Sequence, residues 1–177
     1  MSPKISIQKA DESHLDQLEN LYDDLNDYLT STINYPGWIK GVYPVRETAV
    51  SALNDESLFI AMEDRRIAGS IILNHEPEKA YDQVKWMIDI DYDKILVVRT
   101  LVVHPLFMKK NIATSLMEFT KEYAINQQIK AIRLDVSKTN TPAIKLYKKI
   151  GYEYRGTIDL GLPYEHLKWF EIYEMII

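Results

Sequence analysis

Residues 94–103, KILVVRTLVV, constrain the fold of this 177-residue chain more than any other stretch. After Lys94 the run is apolar except for Arg99 and Thr100. It lacks the alternation of a half-exposed strand, so it reads as a central strand covered on both faces. Such a strand requires neighbouring strands and helices layered over the sheet, which is an α/β or α+β architecture. It runs directly into HPLFMKKNIATSLM, residues 104–117, where a polar turn leads to a helical pattern. That junction is either a plain connection or a cradle for an anion.

The rest of the chain supplies the layers. KISIQK (4–9) alternates as a first strand. Asp11 is the expected N-cap of a long helix. Leu15, Leu18, Leu21 or Tyr22, Leu25, and Tyr28 or Leu29 mark its buried face. INYPGWIKGVYP (33–44) is an aromatic loop and RETAVSAL (46–53) a short helix. SLFIAMED (57–64) and IAGSIILN (67–74) form a hairpin around Asp64, Arg65 and Arg66. Residues 76–86 read as loop with a helical turn. Ile112, Leu116, Phe119 and Tyr123 give a helix over 111–126, and AIRLDV (131–136) is a strand. TPAIKLYKKI (141–150) is a helix with Pro142 in its first turn and Gly151 as its C′ residue. YEYRGTIDL (152–160) and LKWFEIYEMI (167–176) are late strands. The order β-α-α-β-β-β-α-β-α-β-β predicts one domain over 1–177, with a mixed sheet.

Composition narrows the function classes. Hydrophobic residues make up 46% of the chain, enough for a packed core. The absence of cysteine removes disulfides, thiolate metal sites and a cysteine nucleophile. The four histidines, at 14, 75, 104 and 166, have no metal-ligand spacing, so no metal site is expected. A net charge of −5 argues against nucleic-acid binding. No apolar run approaches the roughly 20 residues that span a bilayer, and MSPKISIQKADE has no signal-peptide core. A cytoplasmic protein, monomer or homodimer, with no membrane partner is expected. P-loop, dinucleotide and nucleophile-elbow signatures are absent.

The turn at 104–113 carries the chemistry. A helix that starts there presents N–H groups with no intrahelical acceptor, and its dipole favours an anion. Lys109 and Lys110 stand at this end, where lysine disfavours the helix itself by a few tenths of a kcal/mol. A bound polyphosphate reverses that sign.

Val103-His104-Pro105, followed by Met108-Lys109-Lys110-Asn111-Ile112-Ala113, resembles the acetyl-CoA motif of the GCN5-related N-acetyltransferase (GNAT) superfamily. There V-x-P precedes Q/R-x-x-G-x-G/A. Downstream, Asn140, Ala143, Tyr147 and Gly151 match N-x-x-A-x-x-x-Y-x-x-x-G-F, with Tyr152 in place of Phe. Met108 replaces Gln or Arg, and Asn111 replaces Gly. Glycine there permits φ > 0, and Asn tolerates the left-handed region best among the other residues.

The resemblance implies a mixed, mostly antiparallel sheet with splayed central strands flanked by helices. It implies direct transfer of an acetyl group from acetyl-CoA to a primary amine of a small molecule or peptide. Backbone N–H groups from Met108 through Lys109, Lys110, Asn111 and Ile112 to Ala113 are expected to hold the pyrophosphate. Leu101, Val102 and Val103, where the family strand bulges, are expected to pair with pantetheine and polarise the thioester carbonyl. Asn140 is expected to bind pantetheine beside Ala143, and Tyr147 to protonate the departing thiolate.

Each role has a structural counterpart that stays open. Asn140 is also a helix cap, and Tyr147 also fits an amphipathic core position. His104 is a candidate base only by its reference pKa near 6.5. Arg99 needs a carboxylate partner such as Asp135, or faces a wet cleft and an anionic substrate group. Trp38 and Tyr43 either wall an acceptor pocket or pin their loop. A non-catalytic CoA or acyl-CoA binder or sensor of the same fold is the alternative function.

Overall fold

A computed structural model describes residues 4–177. Met1–Pro3, which open the stretch read for a signal peptide, lie outside the described residues. The described chain forms two compact units. Unit 1 comprises residues 4–34, 38–74 and 99–120; unit 2 comprises 35–37, 75–98 and 121–177.

Unit 1 contains β1 (Ile5–Lys9), α1 (Leu15–Ser31), α2 (Arg46–Asn54), β2 (Leu58–Glu63) and β3 (Arg66–Asn74). β1 pairs antiparallel with β2, and β2 with β3. The hairpin turn places Asp64 at φ 55. Leu18, Leu21, Tyr22, Leu25 and Leu29 of α1 pack with Leu58, Ile60, Ile67 and Ile72 in one core. The expected helical face is therefore correct, with both Leu21 and Tyr22 inside. Leu29 rather than Tyr28 continues it, because Tyr28 remains 40% exposed. Asp11 caps a 3-10 turn, Glu12–His14, that leads into α1, rather than α1 itself. Its carboxylate accepts the Ser13 N–H at 2.8 Å.

β4 (Ile95–Val103) contributes 95–98 to unit 2 and 99–103 to unit 1. α3 (Ile112–Asn126) likewise begins in unit 1. Unit 2 also holds β5 (Ala131–Ser137), α4 (Thr141–Lys149), β6 (Glu153–Asp159) and β7 (Trp169–Ile176). β5 pairs antiparallel with β7, and β7 with β6. The parallel ladder between β4 and β5 joins Ile95–Val98 to Ala131–Leu134 and stops there, although both strands continue. Antiparallel pairs thus dominate a mixed α/β fold, as expected. The segment 76–86 contains a 3-10 turn, Lys79–Gln83.

The end of α4 is fixed by a Schellman motif. Gly151 sits at φ 102. Its N–H donates to Lys148 O at 3.2 Å, and the Tyr152 N–H donates to Tyr147 O at 3.0 Å. Gly151 therefore occupies the predicted C′ position.

Arg133, unremarked in the sequence, is the largest fully buried side chain among the described residues. Nε donates to Glu174 Oε2 at 2.8 Å, and the two terminal nitrogens donate to Tyr92 OH and Ile88 O. Glu174 Oε1 accepts the Met87 N–H at 2.7 Å. The guanidinium also lies 4.0 Å from the Trp86 ring centre. Every polar atom of the pair has a partner, which is the condition under which a buried charge is tolerated.

Candidate active site

In unit 1 the strand β4 departs from regular geometry at Thr100, where φ is 49. A threonine with positive φ is strained, and such strain marks a bulge that turns adjacent backbone groups out of the ladder. Leu101 and Val103 are half-buried on either side of Val102, whose side chain is part of the core. β3 lies against this segment. The His104 N–H donates to Ala68 O at 2.8 Å. A Cβ on Gly69 would stand 2.6 Å from Val102 O and 2.9 Å from Ile112 Cγ2. Gly69 therefore admits both the end of β4 and the start of α3 to close contact with β3.

Beyond β4, His104 caps a 3-10 turn, Pro105–Phe107, by accepting the Leu106 N–H on Nδ1 at 3.1 Å. Nδ1 as acceptor requires the proton on Nε2, which lies 3.0 Å from Asp24 Oδ2. Both ring nitrogens are thus engaged within the protein.

The loop then takes the conformation that the Asn-for-Gly replacement suggested. Asn111 has φ 61, and Lys109 has φ 62. Alternation of handedness across Lys109, Lys110 and Asn111 turns successive N–H groups to one side, as in an anion-binding nest. The first bond of α3 runs from the Ser115 N–H to Asn111 O, at 2.9 Å. The N–H groups of Ile112, Ala113 and Thr114 precede it and have no acceptor within the helix. α3 accordingly starts at Ile112 rather than Asn111, because the left-handed residue cannot belong to it.

The side chains of the loop have other employment. Met108 packs against the unit 1 core, which accounts for an apolar residue where the motif carries Gln or Arg. Lys110 lies 3.7 Å from Glu63 and over the Phe107 ring. Lys109 is exposed.

Tyr43 reaches the bulge. Its hydroxyl is hydrogen-bonded to Thr100 Oγ1. Its carbonyl accepts from Asn26 Nδ2 at 3.2 Å, and its ring meets Trp38 edge-on at 5.6 Å. Trp38 also packs on the unit 1 core. Tyr43 is thus placed beside the irregular turn of β4, next to half-buried Arg99, while Trp38 anchors the loop.

In unit 2, Asn140 caps α4. Oδ1 accepts the Ala143 N–H at a long 3.5 Å. Tyr147 is buried, against Tyr152 at 6.0 Å and Tyr173 at 6.4 Å between ring centres. Burial first, and the Asp135 carboxylate second, push its phenol well above the usual tyrosine range. Asp135 itself accepts the Tyr81 hydroxyl at 2.6 Å.

Sequence reasoning missed Thr100, Gly69 and Asn26. A glycine inside the apolar strand pattern IAGSIILN was the available signal for Gly69. No local pattern announces Thr100 or Asn26.

The sequence profile described as Acetyltransferase (GNAT) family matches residues 18–152, which include the bulge, the loop and α4. The chain belongs to the GNAT acetyltransferase family. A streptothricin acetyltransferase from Escherichia coli is 29% identical over 124 residues. That match covers 68% of this chain and 62% of the relative, so the chain spans less than two thirds of the relative's length. Among solved structures, a GNAT acetyltransferase from Streptococcus agalactiae superposes with a TM-score of 0.80 at 19% identity, covering 98% of this chain and 95% of that one. The Salmonella typhimurium acetyltransferase yncA, solved with its cofactor acetyl-CoA, has a TM-score of 0.70 at 11% identity, with 97% and 93% covered. These two neighbours share the GNAT fold. The family uses acetyl-CoA, and none of the described helices is long and apolar enough to cross a membrane.

Proposed function

We propose that the chain transfers an acetyl group from acetyl-CoA directly to a primary amine of a small molecule or peptide. The observation that carries this reading is the loop backbone: Asn111 and Lys109 keep the left-handed geometry a phosphate cradle needs. Acetyl-CoA supplies an activated acyl group on a thiol leaving group. The N–H groups between Met108 and Ala113 hold the pyrophosphate, and small Ala113 leaves room for it. Because Met108 and Lys110 are engaged within the protein, binding rests on backbone and dipole more than on side-chain charge.

Backbone groups of Leu101 and Val103, freed by the bulge, pair with the pantetheine arm and polarise the thioester carbonyl. By the family motif, Asn140 offers its NH2 group to pantetheine. The acceptor ammonium loses a proton to water, its nitrogen bonds to the carbonyl carbon, the carbon–sulfur bond breaks, and the second proton that the nitrogen sheds balances the one that the departing sulfur takes up through Tyr147. Tyr147 hydrogen-bonds the departing sulfur. Its raised pKa keeps the phenol protonated throughout the working range, so it donates and never acts as a base. A free thiol has a pKa near 8.5. The phenol therefore stabilises the developing thiolate without lasting ionisation of its own.

An amine acceptor is supported by the family and by the net charge of −5, which favours cations. Streptothricin, the substrate named for the Escherichia coli relative, is the first compound to test, with spermidine and a lysine peptide beside it.

Calorimetric titration with acetyl-CoA, with ATP and NAD as controls, tests the reading. Selective binding is expected, weakened about tenfold or more by Asn140→Ala. Tyr147→Phe should bind normally and turn over 10- to 1,000-fold more slowly. The kcat profile of the wild type should show no tyrosine ionisation below pH about 10. Binding without turnover of any amine would favour a CoA sensor. No binding at millimolar acetyl-CoA would end the enzyme reading.

A further inference from the structure

Three buried polar atoms of unit 1 have no hydrogen-bond partner among the described residues: the Tyr22 hydroxyl, Asn26 Oδ1 and Ser70 Oγ. All three residues are fully buried. Unpaired buried oxygens are rare, and each is costly. Two of them lie on the buried face of α1 and the third on β3, the strand beneath it, which points to one shared partner.

The location follows from the fold. Tyr22 and Asn26 are four residues apart on α1 and share its buried face. Ser70 stands on β3 opposite Ile60, a member of the core that α1 covers. The Ser70 hydroxyl offsets part of the effect of burial on Tyr22, whose pKa is still pushed up to about 12. Neither oxygen meets a partner in hydrogen-bond geometry among the described residues. Asn26 links the cluster outward, since its Nδ2 holds the Tyr43 carbonyl while the Tyr43 hydroxyl is bonded at the Thr100 bulge.

We infer that Tyr22, Asn26 and Ser70 hold one resident water molecule, and that this hydrated cluster makes Asn26 a positioning residue that sets Tyr43 against β4. The water accepts the Tyr22 O–H and donates to Asn26 Oδ1 and Ser70 Oγ. Three partners are typical of a buried water. With Oδ1 anchored, the Asn26 amide plane is fixed and Nδ2 is aimed at Tyr43. An aliphatic residue at position 26 would aim nothing. The positioning role on the acceptor side rests on the acetyltransferase reading; the water site does not.

Opposite signs separate a wet cluster from a dry one. Removing a dry, unpaired hydroxyl stabilises a protein, whereas removing a partner of a bound water destabilises it. Tyr22→Phe and Ser70→Ala are each expected to lower Tm by about 2–4 °C. The double variant should lose less than the sum, because both hydroxyls share one water. A crystal structure at about 1.5 Å should show a density peak within hydrogen-bond reach of all three atoms. A rise in Tm for either variant, or no peak, overturns the water site.

For the positioning role, Tyr22→Phe should raise the KM for streptothricin, or for spermidine if streptothricin is not turned over, about fivefold. The kcat should stay within twofold, and acetyl-CoA affinity should be unchanged. An unchanged amine KM overturns positioning. A wild type that does not bind acetyl-CoA would sink the enzyme reading, and the positioning role with it. The Tm signs and the density would still decide the water.

Discussion

Two places in this protein manage positive charge, and they do so in opposite ways. In unit 2, Arg133 is buried and each of its bonds goes to a named group: Glu174, Tyr92 and Ile88. In unit 1, the loop from Met108 to Ala113 concentrates partial positive charge on backbone N–H groups at the start of α3 and commits few side chains to it. The first arrangement is complete in itself and has nothing left to bind with. The second is incomplete, since N–H groups without helical acceptors favour an incoming anion. Charge satisfied internally builds a core, and charge left unsatisfied at a surface builds a site.

The largest expected effect tests the completed arrangement. Glu174→Ala would leave the Arg133 guanidinium buried and unpaired, and would also strip the Met87 N–H of its acceptor. Unfolding by urea should show a loss of about 3–5 kcal/mol. Replacing both partners together, Arg133→Met with Glu174→Leu, should recover most of that loss, because no charge then stays behind. If the single variant cost less than about 1 kcal/mol, the pair would not be the closed unit described here.

Gly69→Ala probes how tightly the loop is held from below. The new Cβ would meet the Val102 carbonyl oxygen at 2.6 Å, and backbone cannot yield as a flexible side chain can. A destabilisation of about 1–3 kcal/mol is expected. Acetyl-CoA affinity should fall with it, since α3 starts on the same contact through Ile112. A destabilised protein with unchanged affinity would show that β3 and the loop are not mechanically linked.

The same contrast explains what was legible in the sequence. The loop was readable because its conformation is set locally: Val103, Pro105, Asn111 and Ala113 lie within eleven residues, and the Asn preference for φ > 0 belongs to one residue. Gly151 was readable for the same reason. Arg133 was hidden inside AIRLDV because its partners lie 41 to 45 residues away in sequence. Arg99, one strand earlier, drew attention only because it interrupts a purer apolar run. Thr100 escaped notice because a bulge in β4 depends on which strand runs alongside it, and not on threonine. Asn26 escaped because the 3.6-residue pattern of α1 counts apolar residues, and Asn26 is a polar member of the buried face.

The smallest expected effect is the one that sharpens the comparison most, because it should separate stability from binding. Asn111 lies at φ 61, at the surface end of the loop. Asn111→Val places a β-branched residue in the left-handed region at a cost of about 1–2 kcal/mol. An exposed turn can escape much of that cost by changing its backbone, so the measured loss of stability should be below about 1 kcal/mol. The escape would turn the N–H groups away from one another, and acetyl-CoA affinity should fall tenfold or more. Asn111→Gly keeps the left-handed turn without a side chain, so affinity should equal that of the wild type or exceed it. Equal affinity in the valine and glycine variants would mean that the loop does not bind through its backbone. The lysines would then carry the phosphate, and the contrast with Arg133 would reduce to exposed against buried side chains.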